Sequence, residues 1–311
     1  MQSFKYLLDK PIEPLVHSAQ FLQILAAESE GLVQIDIHVQ KESLRKLTQE
    51  FYNVYLSDLT SADATAWNKI REEVIMEMLQ QHLLPLGARW TREWLKEVEE
   101  DFICARCAAR LEERIEVAPY QVKGQEKGDV PRVLAISQGR GDSKRDWIHL
   151  VMLNKRGRFI HHDQLFDLQL PDTKVALEEQ IVKFKPDVIV VGGFTPATLR
   201  LQFQVRTAVS EVETKRKRDI DEDSDLTTQE REEALEKMSI KTIYVHDDVA
   251  RLFQNSKRAN KEFGELALVA RYCLGLARYV QSPLCEFASL GRDIDAITYD
   301  TNQRLVSHTL T

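Results

Sequence analysis

Hydrophobic residues recur at every third or fourth position through most of residues 1–118, and this spacing predicts a domain built mainly from helices. Four helices are predicted, with Pro85 and Gly87 ending the third. The four span Pro11–Glu30, Lys41–Leu56, Ala62–Leu84 and Arg89–Val117. Residues 32–39 depart from this pattern because apolar and polar residues alternate there. That period of two predicts one half-buried strand within the helical region.

The pattern changes class after a polar, glycine-containing connector at 119–128. Three apolar stretches predict three strands, the last two joined by a turn at Asn154–Gly157, and helices and strands then alternate. The predicted strands are Arg132–Ser137, Trp147–Leu153, Phe159–Leu165, Asp187–Val191 and Thr242–Val245, and the predicted helices are Thr173–Lys185, Pro196–Val212, 247–255 and Lys261–Gln281. This order predicts an α/β domain of the ribonuclease H-like class, in which an antiparallel hairpin adjoins a parallel half.

The two patterns together predict an α/β plus all-α chain. A helical domain should occupy 1–118, and a ribonuclease H-like domain with a mixed sheet should occupy 119–311. Within the second domain, residues 211–237 predict a disordered insertion, because they are densely charged and almost free of apolar residues. A basic block inside the insertion is either a nuclear-import signal or part of a solvated loop. The block consists of Lys215, Arg216, Lys217 and Arg218.

The net charge of the chain limits which kinds of molecule it is expected to bind. The chain has 42 basic and 49 acidic residues, and the net charge of −7 argues against a surface built overall to neutralise nucleic acid. A local basic edge near the first predicted hairpin either contacts nucleic acid or forms a solvated rim. This edge comprises Arg140, Lys144, Arg145, Lys155, Arg156 and Arg158. Four cysteines without a recognisable signal-peptide pattern indicate a reducing intracellular compartment, and no apolar run is long enough to predict a membrane span.

The candidate chemistry lies where the first strand of the predicted α/β domain ends. Nucleases and resolvases of this fold place an Asp there to hold a catalytic divalent metal, whereas this chain has Ser137, whose neutral hydroxyl cannot replace a carboxylate. The fourth strand ends in Gly192 and Gly193 where resolvases supply a Glu nearby. Glu262 and Glu265 stand near the start of the last predicted helix, and one of them is expected close to this vestigial site.

One carboxylate does not make a two-metal site, so the sequence predicts a degenerate nuclease fold that serves as a scaffold. No metal site and no cofactor are predicted. The tripeptide His161, His162 and Asp163 is interpreted as a surface strand end, because adjacent residues on a strand point to opposite faces. A metal-dependent nuclease or resolvase remains the alternative function, and a nucleic-acid-binding module is a third.

Four segments resemble the suppressor-of-Ty-six transcription elongation factor family, the eukaryotic relatives of bacterial Tex. They are RVLAISQGRGD, PDVIVVGG, LARYVQSPLCEFASL and ITYDTNQRLVSHTL, and ARYVQSPLCEF is the most specific. The resemblance covers most of the chain. It implies that 1–118 is a Tex-like helical domain and that 119–311 is a YqgF-type domain.

The resemblance also implies a function. Members of this family are nuclear proteins that accompany RNA polymerase II, other elongation factors and histones during transcription. We expect the chain to be a core fragment of such a factor, with most contacts to polymerase and nucleic acid made by regions outside it. The expectation is therefore a nuclear elongation factor and histone chaperone whose ribonuclease H-like domain is catalytically inactive.

Overall fold

The computed structural model describes residues 8, 10–58, 61–122, 126, 128–139, 141–142, 145–193, 195–222 and 240–306. The chain divides into two compact units. One contains Met1–Leu111 and Thr298–Thr311, and the other contains Glu112–Ile297. Among the described residues, no helix combines the length and the apolar character that crossing a bilayer requires.

The first unit is helical, as the spacing of its apolar residues predicts. Its helices are α1 (Gln20–Ser29), α2 (Lys41–Tyr55), α3 (Ala62–Glu77) and α4 (Leu84–Ile115), the last of which ends just inside the second unit. The strand predicted at 32–39 is wrong. Val33, Ile35 and Ile37 are more buried than their neighbours, but no described segment of this unit pairs with them as a strand. The alternation therefore reflects an extended segment without a partner strand among the described residues. The Ile35 N–H helps to hold this segment in place by donating a hydrogen bond to Glu28 Oε1 at 3.0 Å.

Pro85 and Gly87 do not end a helix, contrary to the sequence prediction. A π-helical turn at Met78–Leu83 follows α3 directly, and α4 continues from it. Proline lacks an N–H group, and its ring crowds the carbonyl one turn earlier. A wider turn immediately before Pro85 changes that hydrogen-bonding pattern, so the chain stays helical through both residues.

A buried carboxylate fixes the start of α1 in the helical unit. Glu99 on α4 is fully buried, and its two carboxylate oxygens accept hydrogen bonds from the N–H groups of Phe21 and Leu22, each at 3.0 Å. The first N–H groups of a helix have no partner within the helix, and the helix dipole favours an anion beside them. Burial raises the pKa of the Glu99 carboxyl, and these backbone hydrogen bonds oppose the rise.

Replacing Glu99 by alanine is expected to lower the free energy of unfolding of the helical unit by about 3 kcal/mol, since two buried N–H groups lose their acceptor. Urea denaturation followed by circular dichroism measures the loss. Glu97→Ala is the matched control, because Glu97 is exposed on the same helix and its removal should change stability by less than about 0.5 kcal/mol. Equal losses in the two variants would contradict the role assigned to Glu99.

The second unit contains a five-stranded mixed sheet, which confirms the predicted fold class. Its strands are β1 (Val133–Ser137), β2 (Ile148–Leu153), β3 (Phe159–Leu165), β4 (Val188–Gly192) and β5 (Lys241–Ile243). They lie in the order β3-β2-β1-β4-β5. The first three strands pair antiparallel, whereas β4 pairs parallel with both β1 and β5. β1, β2 and β4 are buried along their whole length, as expected for the central strands of a sheet covered on both faces.

Helices cover both faces of this sheet. On one face, α5 (Pro171–Phe184) and α6 (Ala197–Glu222) pack against alternate strand residues such as Ile136 and Val191. On the other face, α7 (Asp248–Asn255), α8 (Lys257–Phe263) and α9 (Leu268–Gln281) pack against the residues between them, such as Ala135 and Val190. The short helix α10 (Pro283–Ala288) follows.

The helix predicted at Lys261–Gln281 is two helices. α8 ends at Phe263, and α9 begins at Leu268. Arg271 stabilises the break, because its guanidinium donates hydrogen bonds to the carbonyls of Phe263, Gly264 and Leu266 at 2.7–3.0 Å. A periodic pattern shows which residues face the core, but it does not reveal that a side chain one turn later satisfies these carbonyls.

The first part of the predicted disordered insertion is helical. Residues 211–222 continue α6, and residues 223–237 lie outside the described part of the chain. Two ion pairs attach this part of α6 to α5: Lys174 to Glu211 and Lys215 to Glu178, each at 2.5 Å. Val212 is buried against the sheet. Charged residues thus remain ordered because α5 supplies partners of opposite sign.

Candidate functional site

The sheet topology brings the carboxyl ends of β1, β4 and β5 to one edge of the sheet, where enzymes of this architecture place their chemistry. Ser137, the last residue of β1, lies in register with Gly192, the last residue of β4. The side chain of Ser137 is fully buried, and its hydroxyl oxygen accepts the Gly139 N–H at 3.2 Å. The serine thus closes the turn after β1 and places no negative charge at this edge.

The end of β4 has no room for a side chain. A Cβ atom added to Gly192 would lie 2.3 Å from Leu276 Cδ1 and 2.7 Å from the Tyr272 hydroxyl, both on α9. A Cβ at Gly193 would lie 2.3 Å from the Thr198 hydroxyl. The space in which a resolvase-like carboxylate would extend from Gly192 is filled by a tyrosine and a leucine.

A buried carboxylate lies at this edge, at a position where the sequence predicted none. Asp247 follows β5 and is buried; it accepts a hydrogen bond from the Tyr272 hydroxyl at 2.8 Å. It also accepts two from Arg251, at 2.7 and 2.9 Å. The pairing raises the pKa of Arg251, while burial and the adjacent carboxylate raise the pKa of Tyr272.

The negative charge of Asp247 is therefore balanced within the protein. The Asp247 side chain makes no helix-capping hydrogen bond, although its position before α7 suggests one. The spacing of Asp247 and Arg251, four residues apart at the start of a helix, was the signal that could have revealed this pair.

Glu262 does not approach Ser137, contrary to the expectation for these two glutamates. It bonds to Arg258 at 3.2 Å and to Arg278 at 3.0 Å, beside the C-terminal half of α9. The opposite end of α9 lies near the turn after Ser137, where a Cβ on Gly139 would be 3.1 Å from Val269. Glu265 is exposed in the link between α8 and α9. Within the described ranges, no three His, Cys, Asp or Glu side chains are grouped so that they could hold a metal ion.

The candidate basic edge is not a single surface. Arg145 lies in the loop between β1 and β2, whereas Lys155, Arg156 and Arg158 lie in the turn at the opposite end of β2. The six residues of β2 separate the two groups by roughly 20 Å. Arg140 and Lys144 lie outside the described residues.

The four residues of the basic block lie on α6 and differ in exposure. Lys215 is paired with Glu178, Arg216 is half-buried, and Lys217 and Arg218 are exposed. Lys215 is itself exposed, so three of the four charges lie at the surface and one of these three is paired with a carboxylate.

The tripeptide His161, His162 and Asp163 is more buried than the interpretation as a surface strand end implies, although its side chains do alternate between faces. His161 stacks on Phe184 of α5, and Asp163 accepts a hydrogen bond from Gln180 of α5 at 3.0 Å. His162 lies on the opposite face.

A pair of histidines joins β2 to β3 on that face. His149 Nδ1 and His162 Nε2 are 3.1 Å apart, and the two rings stack. Burial, together with the neighbouring His162, lowers the pKa of His149 to about 4, and burial also lowers the pKa of His162. Both rings therefore stay neutral at physiological pH, and one ring nitrogen donates a hydrogen bond to the other.

The fold and this edge of the sheet define a class of protein. An antiparallel hairpin beside a parallel half, with helices on both faces, is the arrangement of a ribonuclease H-like domain. A family model described as YqgF, Holliday-junction resolvase-like of SPT6, matches residues 216–291.

Relatives extend the similarity to almost the whole chain. Transcription elongation factor SPT6 of Mycosarcoma maydis is 34% identical over 98% of the chain, and that of Emericella nidulans is 35% identical over 99%. Transcription elongation factor spt6 of Schizosaccharomyces pombe is 33% identical over 97%. The chain is thus similar over nearly its whole length to SPT6 transcription elongation factors, as the sequence motifs predicted. It spans 19%, 22% and 20% of the length of these three relatives.

Proposed function

We propose that this chain is a core part of a nuclear transcription elongation factor and histone chaperone that acts with RNA polymerase II on chromatin. In this proposal its ribonuclease H-like domain is a catalytically inactive scaffold. The observation that carries the proposal is the similarity to SPT6 elongation factors along nearly the whole chain. Because the chain spans about a fifth of those relatives, contacts with polymerase, histones and other elongation factors are proposed for the assembled factor.

The geometry of the strand ends supports the scaffold role. A metal-dependent nuclease needs carboxylates that converge on one or two metal ions, so that metal-bound water can attack a phosphate. Here the β1 position carries Ser137, and the β4 position is filled by Tyr272. The buried carboxylate at this edge, Asp247, is already paired with Arg251. This edge of the sheet is packed and charge-balanced.

A nuclease assay tests the scaffold role directly. The protein is incubated with single-stranded, duplex and four-way-junction DNA in the presence of magnesium or manganese, and no cleavage is expected. Asp247→Asn and Glu262→Gln serve as paired variants, because only Asp247 lies at the strand ends. Metal-dependent cleavage that Asp247→Asn abolishes and Glu262→Gln retains would establish the alternative, a YqgF-type nuclease.

Depletion of the protein in its own cells tests the role in transcription. Nuclear run-on sequencing should show polymerase advancing more slowly through gene bodies, while initiation at promoters is unchanged. The tagged protein should be nuclear and should co-purify with RNA polymerase II and histones. Unchanged elongation together with cytoplasmic localisation would contradict the proposal. Lys215, Arg216, Lys217 and Arg218, three of which are exposed, remain the proposed import determinants.

A further inference from the structure

We propose that the first half of β3 is a docking edge for an extended acidic peptide of a partner protein, which would add to the sheet as a sixth strand. Strand β3 is at the edge of the sheet, so one side of its backbone has no neighbouring strand among the described residues. Such an edge offers N–H and C=O groups that another extended chain can pair with. The inference does not depend on the proposed role in transcription.

The two halves of β3 differ in whether their outward-facing backbone groups are already hydrogen-bonded by a side chain of the protein. Toward the end of the strand, the Gln164 N–H donates to the Asp163 carboxylate at 2.8 Å, and a protein group thereby occupies a position that an added strand would use. Among the described residues, the side-chain hydrogen bond at residues 159–162 is that of His162 to His149, which joins β3 to β2 and leaves the outer edge uncovered. The pairing with β2 shifts between Met152 and Leu153, opposite the start of β3.

The open half of β3 carries exposed apolar side chains. Phe159 is 37% exposed and Ile160 is 47% exposed. The ring of Phe159 also contacts Phe263 of α8 edge-on, with the ring centroids 6.0 Å apart, so the phenylalanine is held in place. A peptide strand laid along this edge would cover both side chains.

Charge identifies the chemistry of the peptide. Lys155, Arg156 and Arg158 are all exposed in the turn that leads directly into Phe159. Asn154 orders this turn, since its side-chain oxygen accepts the N–H groups of Arg156 and Arg158, each at 2.9 Å. Three cations at one end of an open apolar edge fit a peptide with a run of acidic residues followed by alternating apolar residues.

Nucleic acid fits this surface less well. The cations occupy a single turn, the chain as a whole carries a charge of −7, and an apolar strand edge matches no feature of a phosphate backbone. Pairing between the β3 strands of two copies would bring a second cationic turn to this edge instead of an acidic run.

Fluorescence anisotropy with a labelled peptide tests the proposal. The probe contains a run of glutamates followed by alternating valine and threonine, and saturable binding is expected. Reversing two charges in Lys155→Glu/Arg156→Glu should weaken binding at least about tenfold. Arg145→Glu is the matched control, because Arg145 is also exposed but lies at the other end of β2, and binding should be unchanged.

Two further probes separate strand addition from simple charge attraction. The same peptide with alternate backbone nitrogens methylated keeps its charge but cannot form a ladder, and it should bind at least about tenfold more weakly. Ile160→Lys keeps the local charge positive while removing an apolar contact, and it should also weaken binding. Equal binding of methylated and unmethylated peptides, an equal loss in Arg145→Glu, tighter binding of a single-stranded oligonucleotide, or dimerisation through β3 would each overturn the proposal.

Discussion

Replacing Gly192 by glutamate, which would restore a carboxylate near the resolvase position, is expected to lower the free energy of unfolding of the sheet unit by more than about 3 kcal/mol. The new Cβ alone would lie 2.3 Å from Leu276 and 2.7 Å from the Tyr272 hydroxyl. Overfilling a packed interior costs about 1–3 kcal/mol. A carboxylate buried there without a partner of its own adds a further desolvation cost.

Hydrogen exchange read by mass spectrometry on peptides from β1 and β4 measures this loss, because their slowest amides exchange only when the sheet unfolds. Gly87→Glu makes the same chemical change on α4, where nothing lies within 4 Å of an added Cβ. That variant should be as stable as the parent or slightly more stable, since glycine is a poor helix former. Parent-like protection of β4 in Gly192→Glu would show that the strand end has space for a catalytic carboxylate.

The elements that the sequence predicts correctly depend on local patterns. Strands β1 and β4 are almost entirely apolar, which predicts burial on both faces of the sheet. In α9, apolar residues recur every three or four positions, which predicts burial on one face. The structure agrees with both predictions. The prediction of a strand at 32–39 was wrong for a non-local reason, because a segment of alternating apolar and polar residues forms a strand only when a partner strand lies alongside. The prediction of one continuous helix over α8 and α9 was wrong for a similar reason, because the break between them depends on hydrogen bonds from the side chain of Arg271.

The candidate site, too, could be predicted from the sequence only in part. The residue types at positions 137 and 192 are visible in the sequence, and they already indicate that the carboxylate set is incomplete. What occupies the site instead cannot be found from sequence, because Tyr272 and Asp247 are 25 residues apart and meet only through packing of α9 against α7. The position of Glu262 likewise depends on how α8 folds back along α9.

The pairing of His149 with His162 also needs tertiary information, because it requires the register of β2 against β3. Once that register is fixed, the two rings share a buried hydrogen bond, and neither can be protonated without losing it or placing a charge in a half-buried site. The hairpin therefore carries a group that responds to acid, although no carboxylate takes part in the contact.

The sheet unit is accordingly expected to lose about 3 kcal/mol of stability from His149 alone as the pH falls from about 7 to about 4. The folded-state pKa of His149 is lowered to about 4 from an ordinary value of 6.5, so between these values the unfolded chain binds the proton and the folded chain does not. Stability is fully present above pH 6.5 and declines until the pH reaches about 4. The lowered pKa of His162 acts in the same direction.

Urea denaturation at several pH values, compared between the parent and His149→Phe, isolates this contribution. Carboxylates also titrate toward pH 4, but they are common to both proteins, so the difference between the two curves reports the histidine. The phenylalanine variant should be less stable at pH 7, where the hydrogen bond to His162 is lost, and its stability should fall less steeply between pH 6.5 and 4.5. His17→Gln removes an exposed imidazole and should reproduce the parent curve. Parallel curves for the parent and His149→Phe would mean that the buried pair is protonated without cost, which its 3.1 Å separation and its burial argue against.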